Sequence, residues 1–412
     1  ASHGADIAGT GVSIDTRTLR AGDVFIALRG ENSNGHDHVA RALEAGAACV
    51  VAHADCGTDP RILRVADTLA AMQDMARYAR ARFTGRMLAV TGSVGKTSVK
   101  DMLHAAYCVC EIGMNHPGEI RPLACMVRPD VAVVTTVASS HLGHMGSLDA
   151  IAREKAEILR ALPTGGTGII PDGITGQAYF VHNAAQAGAA LWRAGMQAGC
   201  AIVPGAVQAT AAGSDFSLNV PGWQGHAHVA APGMHMATNA MLALGAACAA
   251  GADMTHAVAG LATFRPGAGR GALARVMHGQ VALLDESYNA SSASIRAALD
   301  LLTLVATGRR VAVLGDMLEL GAFAGHEHVS LLPAVRANAD IVYCCGPNMK
   351  KLYDTLPPAL QGAWTPDSTQ LAPLVRAALR AGDTIMVKGS LGSRMRTVVA
   401  ALQADDARVG PA

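Results

Sequence analysis

The chain of 412 residues is poor in aromatics, at 4%, and poor in charge, with Asp, Glu, Lys and Arg together at 16%. Its 33 basic and 32 acidic side chains nearly cancel, leaving a formal net charge of +1. Sequence-nonspecific nucleic-acid binders carry a basic excess, so no nucleic-acid partner is expected. Long apolar runs are missing as well: the stretch Ala240 to Ala252 covers about 13 residues, against the roughly 20 that span a bilayer. No basic segment with an apolar core behind it opens the chain, so neither a signal peptide nor membrane insertion is expected. The nine cysteines are scattered. Cys108/Cys110 and Cys344/Cys345 read as reduced residues in buried strands of a cytoplasmic protein, not as a zinc knuckle.

What is abundant points elsewhere. Hydrophobic residues reach 50% and glycine numbers 45, enough for large cores and many tight turns. Apolar runs alternate with Ala-rich helical stretches, the pattern of an α/β protein, and the length suits two to three domains. An opening segment, 1–84, has strands near Asp23–Leu28 and Ala48–Ala52 and a helix over Thr68–Arg82. A second, 85–269, starts at the strand Met87–Val90 and continues with strands Cys108–Met114 and Val131–Val137, a helix Leu148–Leu162 and an Ala-rich helix after His235. The run Arg265-Pro266-Gly267-Ala268-Gly269-Arg270-Gly271 reads as a hinge. A third segment, 270–412, carries strands Val281–Leu284, Val311–Leu314, Ile341–Cys345 and Thr384–Val387. Ser98–Tyr107 reads as helix and runs into the strand at Cys108 with no turn residue between them. Such connections usually take about 2–6 residues, which suggests a loop missing between Tyr107 and Cys108.

The strongest chemical signal is Thr91-Gly92-Ser93-Val94-Gly95-Lys96-Thr97, with a buried strand before it and a helix after it. Glycines let backbone amides approach a polyphosphate, and a helix N-terminus favours negative charge. Lys96 can then reach β- and γ-phosphates and Thr97 can hold Mg²⁺. Glu111 stands near the end of an apolar strand, where a carboxylate is costly unless it is paired or bound to a metal. His141 follows the next strand, on the same carboxyl edge, where ligands of open α/β sheets collect. Lys155 shares a helix face with Ile151, Ile158, Leu159 and Leu162; it either snorkels to solvent or is a buried functional amine.

With these residues in view, the chain resembles the ATP-dependent Mur ligases of peptidoglycan synthesis over essentially its whole length. The shortened P-loop, Gly92, Ser93, Val94, Gly95, Lys96, Thr97 and Ser98, is similar to theirs. So are Glu111-Ile-Gly-Met-Asn-His-Pro-Gly-Glu119, Ser287-Tyr288-Asn289-Ala290, Gly315-Asp316-Met317-Leu318-Glu319-Leu320-Gly321 and Val387-Lys388-Gly389-Ser390. The resemblance implies three α/β domains. The first binds the UDP substrate, with Asp15, Thr16, Arg17, Gly30 and His36. A central P-loop mononucleotide-binding domain of mostly parallel sheet binds ATP, and a C-terminal Rossmann-like domain binds the acceptor. It implies ATP and two Mg²⁺ sites formed by Thr97, Glu111, His141 and a carbamylated Lys155, with His235, Asn239, Arg270 and Glu286 toward the nucleotide. Lys96, Glu111, His141, Lys155 and Arg270 would be catalytic.

The motifs also imply a monomer whose partners are UDP-N-acetylmuramoyl-tripeptide and D-alanyl-D-alanine. The dipeptide would be read by Asn289, Asp316, His328 and Lys388, although each of these could equally be a strand-end charge. Another amino-acid ligase of this type, a folylpolyglutamate-type ligase, or a noncatalytic P-loop module are the rival readings. The sequence departs from the family at Met236, where asparagine is usual, at Glu286, where aspartate is usual, and in lacking an Asn-Asn segment before Glu111.

Overall fold

The computed structural model describes residues 8–30, 33–53, 55–103 and 107–404, in two compact units, Ala1–Thr84 and Gly85–Ala412. The first unit holds a four-stranded parallel sheet in the order β1 (Val12–Ser13), β2 (Val24–Ile26), β3 (Cys49–Ala52), β4 (Ile62–Arg64). Phe25, Val39, Ala42, Val50 and Ile62 form its core. Its helix Thr68–Arg82 has the expected bounds, and the Asp67 side chain caps it by accepting from the Ala70 amide, which satisfies one of the amides a helix start leaves unpaired.

The second unit contains three sheets. The first is parallel throughout: β5 (Met87–Thr91), β6 (Cys108–Glu111), β7 (Val131–Val134), β8 (Thr167–Pro171) and β9 (Ala190–Ala194), in the spatial order β6-β5-β7-β8-β9. An antiparallel meander follows, β10 (Val203–Thr210), β11 (Gly213–Val220) and β12 (Trp223–Val229). The third sheet comprises β13 (Ala272–Val276), β14 (Val281–Glu286), β15 (Arg310–Gly315), β16 (Ile341–Cys345), β17 (Gln361–Thr365) and β18 (Thr384–Lys388), ordered β13-β14-β18-β15-β16-β17. Only β13 runs antiparallel to its neighbour in this sheet. One apolar cluster extends from Ala89, Val134, Ile151 and Phe180 into Leu284, Leu299, Leu314 and Met386, so the sequence on both sides of the 265–271 hinge contributes to a single core.

Several expected boundaries change. The strand from Cys108 stops at Glu111 and is an edge strand; Cys108 is exposed and Cys110 half-buried, contrary to the buried-strand reading. Cys344 and Cys345, in the sheet interior, are buried. The helix from Leu148 is α-helical to Ala156 and tightens to 3₁₀ over Glu157–Ala161. The described part of the P-loop helix ends at Leu103, short of Tyr107. At the suspected gap, a bend at Tyr107 leads directly into β6 at Cys108; residues 104–106 lie outside the described residues. The meander went unread because Gly, Ala and Gln dilute its alternation, although the burial of β11 alternates over much of its length.

In the first sheet β5 is flanked by β6 on one side and β7 on the other, so consecutive strands leave β5 in opposite directions. A crevice opens at such a switch point, beyond the carboxyl ends of the strands. The segments after β5, β6 and β7 all meet there. No described helix is long and apolar enough to cross a membrane.

Candidate functional site

The turn after β5 is held rigidly by the segment after β7. The Ser93 amide donates to Thr136 O at 2.9 Å, Ser93 Oγ donates to Ala138 O at 3.0 Å, and the Val94 amide donates to Thr136 Oγ1 at 3.2 Å. Gly92 has φ +146°, and a Cβ there would collide with Thr135 Oγ1. Gly95, at φ +88°, would place a Cβ 2.5 Å from Asn239 Oδ1. Both positions therefore demand glycine for conformation and for space. The helix Lys96–Leu103 begins directly after, and the first amides of a helix lack intrahelical partners.

These residues line a cavity of about 690 Å³. Ser93, Val94, Gly95, Lys96, Thr97 and Ser98 form one wall, and Glu111, His235, Asn239, Arg270, Glu286, Asn289 and Lys388 contribute to the others. The cavity thus brings together nearly every residue expected on the nucleotide side. Lys96 Nζ donates to Gly92 O at 2.7 Å. Burial pushes its ammonium below the ordinary lysine value; Arg270 adds to the effect and Glu111 opposes it. Burial likewise pushes the His235 imidazole down. Arg270 stacks on the Tyr288 ring, 3.8 Å from its centroid.

Glu111 is exposed, at the tip of the edge strand, so the expected cost of a carboxylate inside an apolar strand does not arise. It accepts from Thr97 Oγ1 at 2.8 Å. A hydroxyl and a carboxylate side by side are hard oxygen donors of the kind that hold Mg²⁺ together with phosphate oxygens and water. The described residues contain no cluster of three His, Cys, Asp or Glu that could hold a metal by itself.

A second, smaller cavity of about 250 Å³ is lined by Lys96, Gly113, Met114, Asn115, Glu119, His141 and Lys155. Lys96 belongs to both cavities. Lys155 is 2% exposed and does not snorkel. Burial first, and the neighbouring Lys96 charge second, hold its amine at about 7, while Glu154 opposes them. An amine that is substantially neutral at pH 7 is the form that adds CO₂. Burial pushes the His141 imidazole down, and its Nδ1 lies against the Glu319 carboxylate.

The acceptor-side residues separate. Lys388 is buried and donates to Glu286 Oε2 and to Asn289 O, both at 3.0 Å; Glu286 and Lys388 are register partners on neighbouring strands. Lys388 therefore opens on the P-loop cavity with its charge already matched. Asp316, 4% exposed, accepts from the amides of Asn348 and Met349 at 3.2 and 2.6 Å, at the start of the helix Pro347–Tyr353. His328 is fully buried: its Nδ1 meets Ala324 O at 2.6 Å and its Nε2 accepts from the Met317 amide at 3.0 Å. Both side chains are engaged within the fold, and neither lines the two cavities.

In the first unit Asp15 is paired with Arg17, whose side-chain hydrogen bonds hold the Asp15 carboxyl at about 2. Thr18 Oγ1 donates to Asp15 O across Thr16 and Arg17. The Gly30 amide donates to Ser33 O at 2.8 Å. His36 Nδ1 meets Asn34 Oδ1 at 2.9 Å, and its ring lies 4.4 Å from that of His53.

Glu119, Tyr288 and Glu319 had no assigned role in the sequence reading, although each lies inside a motif it singled out. Tyr288 is distinguished by Arg270 and Glu319 by His141, and Glu119 by the cavity it shares with Lys96, His141 and Lys155.

Comparison with known proteins agrees with this geometry. The Mur ligase family catalytic-domain model matches residues 9–85, the Mur ligase middle-domain model 104–247, and the Mur ligase glutamate ligase domain model 270–391. The chain is 31% identical to the UDP-N-acetylmuramoyl-tripeptide–D-alanyl-D-alanine ligase of Escherichia coli K12 over 437 aligned positions, covering 97% of this chain and 95% of the relative. Among solved structures, a MurF crystal structure from Acinetobacter baumannii superposes with a TM-score of 0.83 at 26% identity, covering 95% of this chain and 93% of that one. MurF from Thermotoga maritima in complex with ADP superposes with a TM-score of 0.80, covering 98% and 100%; its 21% identity supports the fold.

Proposed function

The chain belongs to the Mur ligase family and is an ATP-dependent ligase; from that premise we propose that it joins D-alanyl-D-alanine to UDP-N-acetylmuramoyl-tripeptide in the cytoplasmic stage of peptidoglycan synthesis. The observation that carries the reading is the shared wall of the two cavities. Lys96 lines both the P-loop cleft and the chamber of His141 and Lys155, so a triphosphate in the first would point its terminal phosphate toward the second.

Amide formation in water is uphill without activation. In the proposed reaction a carboxylate oxygen of the UDP-linked peptide bonds to the γ-phosphorus and ADP leaves. The dipeptide amine then bonds to the acyl carbon, its proton passes to solvent or base, and orthophosphate leaves. Lys96 and Arg270 neutralise charge on the transferring phosphoryl group. Thr97 and Glu111 would hold one Mg²⁺, and His141 with carbamylated Lys155 a second; ions held there would screen the phosphate oxygens. His235, Asn239 and Glu286 face the rest of the nucleotide. Residues 1–84 would carry the UDP end through Asp15, Thr16, Arg17, Gly30 and His36, and 270–412 would receive the acceptor, with Asn289 its best-exposed candidate contact. The protein acts as a monomer.

The test is orthophosphate release with ATP, Mg²⁺ and UDP-N-acetylmuramoyl-tripeptide. Release is expected with D-alanyl-D-alanine and not with single amino acids or glutamate. Equal or faster release with a single amino acid overturns the acceptor assignment.

A further inference from the structure

We propose that Glu319 is a positioning residue for His141, so that an imidazole lining the chamber behind the P-loop is oriented by a carboxylate from the far side of the hinge. This rests on the ligase reading for its purpose, and on geometry alone for its existence. His141 follows β7 at φ +61°, immediately before the short helix Leu142–Met145. Its Nδ1 is sealed from solvent. The group against it is the carboxylate of Glu319, which sits after β15, also in the left-handed region at φ +64°. The ring also lines the chamber of Lys96 and Lys155.

The contact is built by the backbone. The Gly143 amide donates to Glu319 O at 2.8 Å. A Cβ on Gly143 would lie 2.8 Å from both Glu319 O and the Gly321 nitrogen, and one on Gly321 would lie 3.1 Å from Gly143 Cα. Two glycines thus allow the segments after β7 and β15 to meet at a separation no other residue permits. Ser139 adds a second tie nearby, donating to Glu327 at 2.9 Å.

A carboxylate at Nδ1 keeps the proton on that nitrogen and leaves the Nε2 lone pair free for the chamber, the way outer carboxylates orient metal-binding imidazoles. Because Glu319 belongs to the C-terminal segment and His141 to the central one, docking of the two would set the imidazole at the moment the site assembles.

The experiment records ¹⁵N-histidine spectra of the full chain at pH 8, where the imidazole is neutral, with His141→Gln identifying the signal. The parent is expected to show His141 as the Nδ1–H tautomer. Glu319→Asn keeps a side chain tolerant of positive φ but loses the reach; it is expected to give a tautomer mixture and to lower kcat about 10–100-fold with the KM for ATP within about threefold. Glu319→Gln, which retains an acceptor oxygen at full reach, is expected to restore the Nδ1–H form. Gly143→Ala, which leaves both side chains intact, is expected to match Glu319→Asn. A parent already in the mixed or Nε2–H form overturns the proposal, as does Glu319→Asn with parental signals. Failure of the ligase reading appears separately, as absent phosphate release by a parent whose tautomer is the expected one.

Discussion

Replacing Lys155 with Met should stabilise the protein in neutral and acidic solution, and the gain should fade in alkali. The lysine is 2% exposed, and its amine sits at about 7 in the folded chain against the ordinary 10.5. The unfolded chain therefore holds the proton up to about 10.5, whereas the folded chain releases it near 7. Stability rises with pH wherever the unfolded state binds more protons, so the wild type gains stability between those two values. At about 1.4 kcal/mol per pH unit, the buried ammonium costs about 4–5 kcal/mol at pH 6 and about 1–2 kcal/mol at pH 9.5. Methionine has similar length and no charge, so Lys155→Met should exceed the wild type by a margin that shrinks about 3 kcal/mol over that range. Urea unfolding followed by circular dichroism in CO₂-depleted buffer measures it, since carbamylation would replace the amine by an anion. A stability difference that does not vary with pH refutes the reasoning, as does a less stable variant at pH 6. Ligase turnover should be lost at every pH.

Lys96→Ala should lower kcat about 10²–10³-fold, as loss of one preorganised phosphate contact does, with the fold intact by circular dichroism. Gly92→Ala forces a side chain onto Thr135 in a backbone conformation L-residues rarely adopt and should abolish the rise in melting temperature produced by ADP. Glu111→Gln should raise the Mg²⁺ concentration for half-maximal turnover about tenfold or more while leaving ADP binding without metal within about twofold. Asp383, 4% exposed, accepts from Arg309 and from the Arg380 amide. Asp383→Ala should cost about 3 kcal/mol in urea unfolding, since it strands a partly buried guanidinium, without altering the KM for ATP.

The P-loop was legible because its chemistry is local. Gly92, Gly95, Lys96 and Thr97 need only a strand before them and a helix after them, and β5 and the helix Lys96–Leu103 supply both. Glu111 was legible as a position and misjudged as an environment, because a strand's apolar composition does not say whether it lies at the sheet edge. Lys155 was visible as a charge on an apolar face; that it is buried and not snorkelling depends on the packing around it. Asp316 and His328 were legible as polar positions and not as environments: in the fold Asp316 accepts from the amides at the helix start after Pro347, and His328 accepts from the Met317 amide.

Residue type and short-range spacing by themselves determined the glycine turn between strand and helix and the alternation of strands and helices, since each depends on groups within a turn or two of one another; the family showed only through the likeness of motifs spread along the whole chain. Tertiary structure alone decided that β6 is an edge, that one lysine serves two cavities, and that Glu319 meets His141 across the hinge. Those outcomes depend on which distant segments share space, and that follows from how whole sheets stack and pair.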